Sequence, residues 1–144
     1  MSDYTFAEYI WIDGAEPTRQ LRSKMRTVKL DKNPKVEDFP EWGFDGSSTN
    51  QATGDDSDCI LRPVAFIKDP TRQEGCYLVM CEVFNPDGSA HVSNSRAQLR
   101  AVLDAGAREY DPWIGFEQEY TLFRHRDRKS TRLNSSHQII SYAV

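Results

Sequence analysis

Near residue 88 the sequence changes from the two-residue period of β-strands to the period of an α-helix, which restricts the possible folds more than any other feature. Before this point, β-branched and aromatic residues favour strands at 5–12, 20–30 and 76–84. The first two strands are close enough to form a hairpin, and CYLVMCEVF at 76–84 is almost entirely apolar, as in a buried strand. The first 88 residues are therefore expected to be mostly β-structure with loops.

Three segments of this first part carry mixed signals. In 20–30 basic residues alternate with Leu, Ser, Met and Thr, which predicts a half-solvated strand whose basic face is the wet one. Residues 31–58 are polar and contain prolines and glycines, which predicts a long loop, and long loops are often functional. In 59–67 the central Pro63 cannot donate to a β-ladder, which predicts an edge strand or two short pieces.

After residue 88 the pattern is helical. Ser93 or Asn94 is a suitable N-cap, and a helix with an apolar stripe between 99 and 106 is predicted to extend to about Tyr110. Residues 113–123 then predict another strand. The expected fold class is α+β.

Composition excludes several classes of protein. The net charge of −4 argues against a nucleic-acid partner, because phosphate binding needs a basic surface. There is neither an apolar run long enough to cross a membrane nor the pattern of a secretory signal. Three cysteines suggest reduced thiols in the cytoplasm, and their spacing does not favour a zinc site. We therefore expect a cytoplasmic protein without a membrane or nucleic-acid partner.

The stretch GFEQEY at 115–120 places two carboxylates one residue apart. In a strand, Glu117 and Glu119 would point to the same face, where a hard divalent cation such as Mg²⁺ or Mn²⁺ is a natural partner. The alternative is a solvated strand face with two ordinary surface acids, which the spacing alone favours. The flanking Trp113 and Phe116 favour an interior strand, where unpaired acids are costly.

The stretch FDGSST at 44–49 raises a similar choice. Asp-Gly followed by serines is a common turn sequence, so a simple turn is the first interpretation. The functional alternative is a loop on which the Asp45 carboxylate accepts a proton or holds a cation, with serine hydroxyls fixing its direction. The residues alone leave both interpretations open.

Together these stretches resemble glutamine synthetases of the type II class. The matching segments occur in the family's order and at close to its spacing. They are EYIWIDG (8–14), LRSKMRT (21–27), PEWGFDGSSTNQATGDDSDCIL (40–61), LVMCEVFNPDG (78–88), SNSR (93–96) and GFEQEYTLF (115–123). The resemblance implies an N-terminal β-grasp domain at 1–88. It also implies the truncated start of the catalytic domain, a helix plus a strand, at 89–123.

The resemblance also implies a reaction and site residues. Family members use ATP to phosphorylate the side-chain carboxylate of glutamate, and ammonia then displaces the phosphate to give glutamine. Asp45 matches the loop aspartate that binds ammonium and removes its proton, and Ser48 matches a serine beside it. Glu117 matches the ligand of the Mg²⁺ or Mn²⁺ ion that bridges the ATP phosphates. Glu119 matches the ligand of the ion nearer the substrate.

In the family the aspartate loop reaches the active site of a neighbouring subunit, which implies a homo-oligomer of stacked rings. Residues 124–144, RHRDRKSTRLNSSHQIISYAV, match nothing in the family and resemble a translated vector junction, so they are predicted to be a non-native tail. Because the family's remaining ligands and arginines would lie beyond residue 123, this chain alone is expected to be inactive and prone to aggregate.

Two alternatives to a glutamine synthetase stay open. One is a ligase that joins glutamate to another amine, although a bulkier amine gains less from an ammonium-binding carboxylate. The other is a truncated, non-catalytic paralogue whose first domain docks on other subunits and regulates them.

Overall fold

The computed structural model describes residues 4–72, 75–117 and 119. The chain divides into two compact units, Met1–Gly106 and Ala107–Val144. The first unit contains one five-stranded sheet. Its strands are β1 (Tyr4–Ile12), β2 (Leu21–Lys29), β3 (Trp42–Asp45), β4 (Asp58–Lys68) and β5 (Cys76–Phe84).

The sheet is mixed, with the order β2-β1-β5-β4-β3. β1 and β5 are parallel, while the other three neighbouring pairs are antiparallel. The strands predicted at 5–12, 20–30 and 76–84 and the β1–β2 hairpin are confirmed, and the most apolar of them, β5, lies in the centre. An α-helix follows the sheet, which confirms the α+β class. No helix in the described ranges has the length and apolar character needed to span a membrane.

The core lies against one face of the sheet, where alternate residues of the strands are buried. Phe39, from the segment between β2 and β3, packs on Phe66 and Tyr77, with ring centroids 4.8 and 5.6 Å away. The hydroxyl of Tyr9 donates to the carbonyl oxygen of Pro40 at 2.7 Å. The segment before β3 therefore packs on the core face. The buried apolar residues are Ala7, Tyr9, Trp11, Val28, Leu30, Phe39, Phe44, Cys59, Leu61, Tyr77, Val79, Cys81 and Val83.

The predicted division of β2 into a dry face and a basic wet face is wrong. Leu21 and Met25 are 67% and 43% exposed. Lys24 lies directly opposite Tyr9 of β1 and therefore points to the core side. Its Nζ lies 4.4 Å from the ring centre of Trp42. The long stem of Lys24 covers the aromatic rim of the core while its charge reaches water.

The predictions for the next two segments need correction. The expected loop at 31–58 contains β3 and two short 3₁₀ helices, Val36–Asp38 and Gly46–Thr49, which are too short to give a periodic signal. The segment around Pro63 is not two pieces, because β4 is one strand, and as a whole β4 lies between β3 and β5 rather than at the edge. The pairing with β3 covers 58–61, so Pro63 itself pairs with β5 alone, as a residue of an edge strand would. The register of β4 with β5 shifts between Pro63 and Ala65, and this irregularity, beyond the end of the β3 pairing, accommodates the proline.

The helix α1 (Ser95–Asp104) begins as predicted, because the side chain of Asn94 accepts a hydrogen bond from the Ala97 N–H at 3.0 Å. It ends earlier than the predicted Tyr110. Gly106 adopts a φ of +123°, a conformation that interrupts the helix after its last turn. No residue of α1 is buried, and in the predicted apolar stripe Leu99 and Val102 are exposed while Leu103 is half-buried.

In the second unit a 3₁₀ helix, Ala107–Tyr110, precedes an irregular segment. The predicted strand at 113–123 is wrong for its described part, since residues 113–117 and 119 are not in a strand. Trp113 and Phe116 are 94% and 93% exposed, and without a paired neighbour an apolar segment gains nothing from an extended strand. The rest of that prediction and the tail at 124–144 lie outside the described residues.

Candidate functional site

Asp45 is the last residue of β3 and the N-cap of the 3₁₀ helix Gly46–Thr49. Its Oδ1 accepts hydrogen bonds from the backbone N–H of Ser47 at 2.9 Å and from the Ser47 hydroxyl at 2.6 Å. An aspartate is well suited to this position because its short side chain reaches back to the first N–H groups of the helix. The turn therefore fixes the direction of the Asp45 carboxylate.

The Asp45 side chain is exposed, and its hydrogen bonds stabilise the ionised form of the carboxylate. The hydroxyl and the backbone N–H of Ser47 lower the pKa of Asp45, and the Ser57 side chain adds to this effect. Because its pKa is lowered, Asp45 is ionised at neutral pH and presents a negative charge to solvent, where a cation can approach it. A second carboxylate, that of Asp58, lies directly opposite on β4.

Ser48, the serine that the sequence assigned to the site, has a different contact. Its hydroxyl donates to the backbone carbonyl oxygen of Asp45 at 3.1 Å. Ser47, which the sequence analysis did not single out, is the serine that contacts the carboxylate. The spacing of two residues between an aspartate and a serine in a turn is the signal that could have identified it.

Gly46 allows the loop to lie close to β4. A Cβ atom at this position would be 2.7 Å from the Cys59 sulfur and 3.0 Å from the Cβ of Ala52. The Gly46 N–H donates to the Ser57 carbonyl at 2.7 Å. Glycine is therefore the only residue that fits at position 46 without displacing its neighbours.

The Cys59 thiol next to Gly46 is not reactive at neutral pH. Burial, and to a smaller extent the nearby aspartates, raise the pKa of this thiol, which therefore stays protonated.

Trp42, at the start of β3, is partly buried and packs against the hydrophobic core. Its ring lies edge-on to Tyr9 at 5.6 Å, and the guanidinium of Arg26 lies 5.0 Å from its centre. These contacts make it an anchor of the strand that carries Asp45.

Glu117 and Glu119 lie in the irregular segment of the second unit, and both are exposed. Two carboxylates are the right kind of ligand for a hard divalent cation, although such ions take six or more oxygens. Within residues 4–72, 75–117 and 119, no group of three or more histidine, cysteine, aspartate or glutamate side chains is arranged to hold a metal. The two glutamates thus fit a metal in kind but would supply only part of its ligands.

Comparisons with known proteins agree on one family. The family model described as "Glutamine synthetase, beta-Grasp domain" matches residues 3–86. The chain is 51% identical over 118 residues to a glutamine synthetase of Streptomyces viridochromogenes, and 49% identical over 123 residues to a chloroplastic glutamine synthetase of Chlamydomonas reinhardtii. These alignments cover 82% and 81% of this chain, but 34% and 32% of the relatives.

The chain therefore spans about a third of the length of the curated relatives it matches. The mixed sheet lies in the matched region, which confirms the predicted β-grasp fold. The domain limits at residues 88 and 123 stay predictions.

Proposed function

Because the chain belongs to the glutamine synthetase family, we propose that the whole protein carrying this sequence is an ATP-dependent ligase that joins ammonia to glutamate. In this reaction the γ-phosphate of ATP is transferred to the side-chain carboxylate of glutamate. Ammonia then attacks the acyl carbon of γ-glutamyl phosphate, and phosphate leaves to give glutamine. The identity of about 50% to enzymes named glutamine synthetase supports this proposal.

The observation that carries the proposal furthest is the exposed, ionised carboxylate of Asp45. Hydrogen bonds from Ser47 fix its direction and lower its pKa, so at neutral pH it carries the negative charge that attracts a cation such as ammonium. A low pKa favours holding ammonium over taking its proton. Exclusion of water in a closed site would raise the pKa of Asp45, and proton removal would then become easier. Ser48 stabilises this loop through the Asp45 carbonyl.

Exposure of Asp45 fits a loop that completes a site on a neighbouring subunit. We infer that the whole protein is a homo-oligomer of stacked rings in which this loop faces the partner's glutamate and ATP. An exposed carboxylate costs nothing to keep charged in a single subunit, and it gains its function when the partner covers it.

Glu117 and Glu119 would hold Mg²⁺ or Mn²⁺ ions together with ligands from the rest of the whole protein. When bound there, such ions would supply positive charge to neutralise the ATP phosphates. In this proposal Glu117 contributes to the nucleotide side of the site and Glu119 to the substrate side. The two side chains would keep the metal sites anionic.

A hybrid enzyme tests the proposal. Residues of this chain would replace the matching 118 residues of the Streptomyces viridochromogenes glutamine synthetase. We expect the hybrid to form glutamine from glutamate, ammonium and ATP. The Asp45→Asn hybrid should lose about 100-fold or more of this activity, the usual contribution of a group that transfers a proton, and still assemble normally by sedimentation.

Asp55→Asn is the matched control, because Asp55 is an exposed aspartate of the same connecting segment. An Asp45→Asn hybrid as active as this control would show that Asp45 does not act on ammonium. An assembled hybrid that makes no glutamine would contradict the proposed activity. Faster turnover with methylamine than with ammonium would indicate a ligase for another amine.

A further inference from the structure

Gln51 lies at the end of the loop 46–51, which begins directly after Asp45. Its side chain is only 5% exposed, which is unusual for a glutamine. Its Oε1 accepts hydrogen bonds from the indole N–H of Trp11 at 3.3 Å and from the hydroxyl of Thr49 at 2.8 Å. Its Nε2 donates to the carbonyl oxygen of Ile12 at 3.1 Å and to the hydroxyl of Ser93 at 2.8 Å. An amide side chain has two donors and two acceptor positions, and all four are used here.

The direction of this amide is fixed by its neighbours. The indole N–H of Trp11 can only donate, and the carbonyl oxygen of Ile12 can only accept. A reversed amide would face a donor with a donor and an acceptor with an acceptor. The side chain of Gln51 therefore has one orientation that satisfies the buried groups around it.

The four hydrogen bonds join three parts of the first unit. Trp11 and Ile12 end β1, Thr49 belongs to the 3₁₀ helix that follows Asp45, and Ser93 lies just before α1. These partners are far from Gln51 in sequence, except for Thr49. Gln51 thus connects the loop to the sheet and to the segment that leads into the helix.

Backbone hydrogen bonds extend this connection towards Asp45. The N–H of Gln51 donates to the carbonyl of Gly46 at 2.9 Å, and the N–H of Gly14 donates to the carbonyl of Thr49 at 2.8 Å. Gly46 directly follows Asp45. A displacement of Gln51 would therefore move the short helix in which the N–H and hydroxyl of Ser47 hold the Asp45 carboxylate.

The Ser93 hydroxyl also contacts a histidine. It lies 2.8 Å from Nδ1 of His91, and the Ser93 N–H donates to the same nitrogen at 3.1 Å. Because Nδ1 of His91 accepts the Ser93 N–H, this nitrogen carries no hydrogen, and the Ser93 hydroxyl therefore donates to it. One continuous set of hydrogen bonds therefore leads from His91 through Gln51 to the loop.

We propose that Gln51 is a positioning residue for Asp45, because its amide holds the loop 46–51 against the end of β1 and the segment that precedes α1. The meaning of this role for catalysis rests on the proposed function, but the role itself is a property of this chain. Gln51 touches no substrate in this proposal. It acts only through the place and direction that it gives to the Asp45 carboxylate.

The experiment measures the Asp45 carboxyl titration by NMR and the hydrogen exchange of the Gly14 and Gly46 amides in the 144-residue chain. Gln51→Met keeps the volume and removes all four hydrogen bonds. We expect the pKa of Asp45 to rise towards its ordinary value. We also expect the two amides to exchange about tenfold faster, because the loss of a buried hydrogen bond changes a local equilibrium by about that factor.

Ser93→Ala, which removes one of the four bonds, is the variant to use if Gln51→Met does not fold, and it should give a smaller change in the same direction. Val28→Ala is the control for a general loss of stability, because Val28 is a core residue near the opposite end of the β1–β2 hairpin. It should leave the Asp45 titration unchanged.

An unchanged Asp45 titration in the folded Gln51 and Ser93 variants would overturn the proposal, as would an equal change in Val28→Ala. The hybrid enzyme separates this outcome from a failure of the proposed function. In an active hybrid, Gln51→Met should lower kcat and leave the KM for glutamate nearly unchanged. An inactive hybrid would contradict the ligase activity, whereas the Asp45 titration would still decide the role of Gln51.

Discussion

Asp13 and Asp45 show how the same two-residue sequence, Asp-Gly, produces two different sites. Asp13 directly follows the last residue of β1, and Asp45 is the last residue of β3. Each carboxylate accepts a hydrogen bond from the backbone N–H two residues later. Asp13 is completely buried and also accepts from the Nε of Arg22 at 2.9 Å, whereas Asp45 faces solvent. Asp13 is therefore a structural residue of the β1–β2 connection, and Asp45 is available for a ligand.

Asp13 makes stability depend on pH. The backbone N–H of Gln20, then that of Ala15 and the side chain of Arg22 lower the pKa of Asp13 in the folded protein. Its stabilisation is fully present above the pKa of about 3.9 that an unfolded aspartate has, and it is lost as pH falls through the lower folded value. Denaturant unfolding between pH 6 and pH 2, roughly the range of this titration, should show this loss.

The matched variant is Asp13→Asn, which has no carboxyl group to titrate. It should be less stable than the original chain at neutral pH, and the difference should shrink as the solution becomes acidic. A difference that stays constant over the whole range would show that the charge of Asp13 contributes nothing to the fold.

Gly14 is a second residue that the loop requires. A Cβ atom there would lie 2.1 Å from the backbone oxygen of Asn50, which cannot move aside as a flexible side chain can. We expect Gly14→Ala to lower the free energy of unfolding by about 1–3 kcal/mol, a typical cost of overpacking. Gly54→Ala is the control, because no atom lies within 4 Å of the added Cβ. Urea unfolding of the two variants should differ accordingly, and equal stabilities would contradict the prediction.

At the scale of elements, α1 is attached to the sheet by charge rather than by apolar burial. The carboxylate of Glu82, buried on the central strand β5, forms ion pairs with Arg96 at 3.4 Å and with Arg100. None of the residues of the helix is buried. A buried carboxylate needs these cations, because burial without a partner disfavours its charged form.

Arg100→Ala should therefore destabilise the protein by about 1–3 kcal/mol, since one of two cations is removed from a buried carboxylate. Gln98→Ala, on the same helix and exposed, should change the stability by less than about 0.5 kcal/mol. Thermal and urea unfolding would measure both. If the two variants were equally stable, the ion pairs would not be what attaches α1.

The elements differ in how well the sequence predicts them. β5 is predicted because a central strand is mostly apolar, and β1 because it is rich in aromatic and β-branched residues. β4 is misjudged because a bulge at Pro63, which depends on the neighbouring strand, has no signal of its own. Four-residue β3 is missed because it is too short for a period. The strand predicted at 113–123 needs partners that the local sequence cannot show.

The candidate site is less predictable than the sheet. Asp45 is identified by turn chemistry together with the family resemblance. Gln51 is missed, because a glutamine in a polar loop carries no pattern. Its partners Trp11 and Ser93 are 40 and 42 residues away in sequence, so only the folded chain brings them together.

At the scale of the whole molecule, several large apolar side chains face solvent. Leu99 and Val102 of α1 are among them, and so are Trp113 and Phe116 of the second unit. We expect the 144-residue chain to associate as its concentration rises, because burial of exposed apolar side chains between two chains lowers the free energy. Sedimentation velocity over a range of concentrations would measure this association.

The double variant Leu99→Lys with Val102→Lys should associate less than the original chain, since two apolar side chains of one exposed helix are replaced by charges. Gln98→Lys adds a charge to the same helix without removing an apolar side chain, and it is the control. If Gln98→Lys reduced association as strongly as the double variant, net charge rather than apolar contact would be responsible.

The parallel pairing of β1 with β5 has a consequence for synthesis on the ribosome. β5 separates the β1–β2 hairpin from β4 and β3, yet it is the last strand of the sheet to be translated. The hairpin can form early from local contacts, whereas the edge of β1 that β5 will cover stays open until residues 76–80 have left the exit tunnel. A nascent chain paused before that point would expose an unpaired strand edge, which is the kind of surface that chaperones bind.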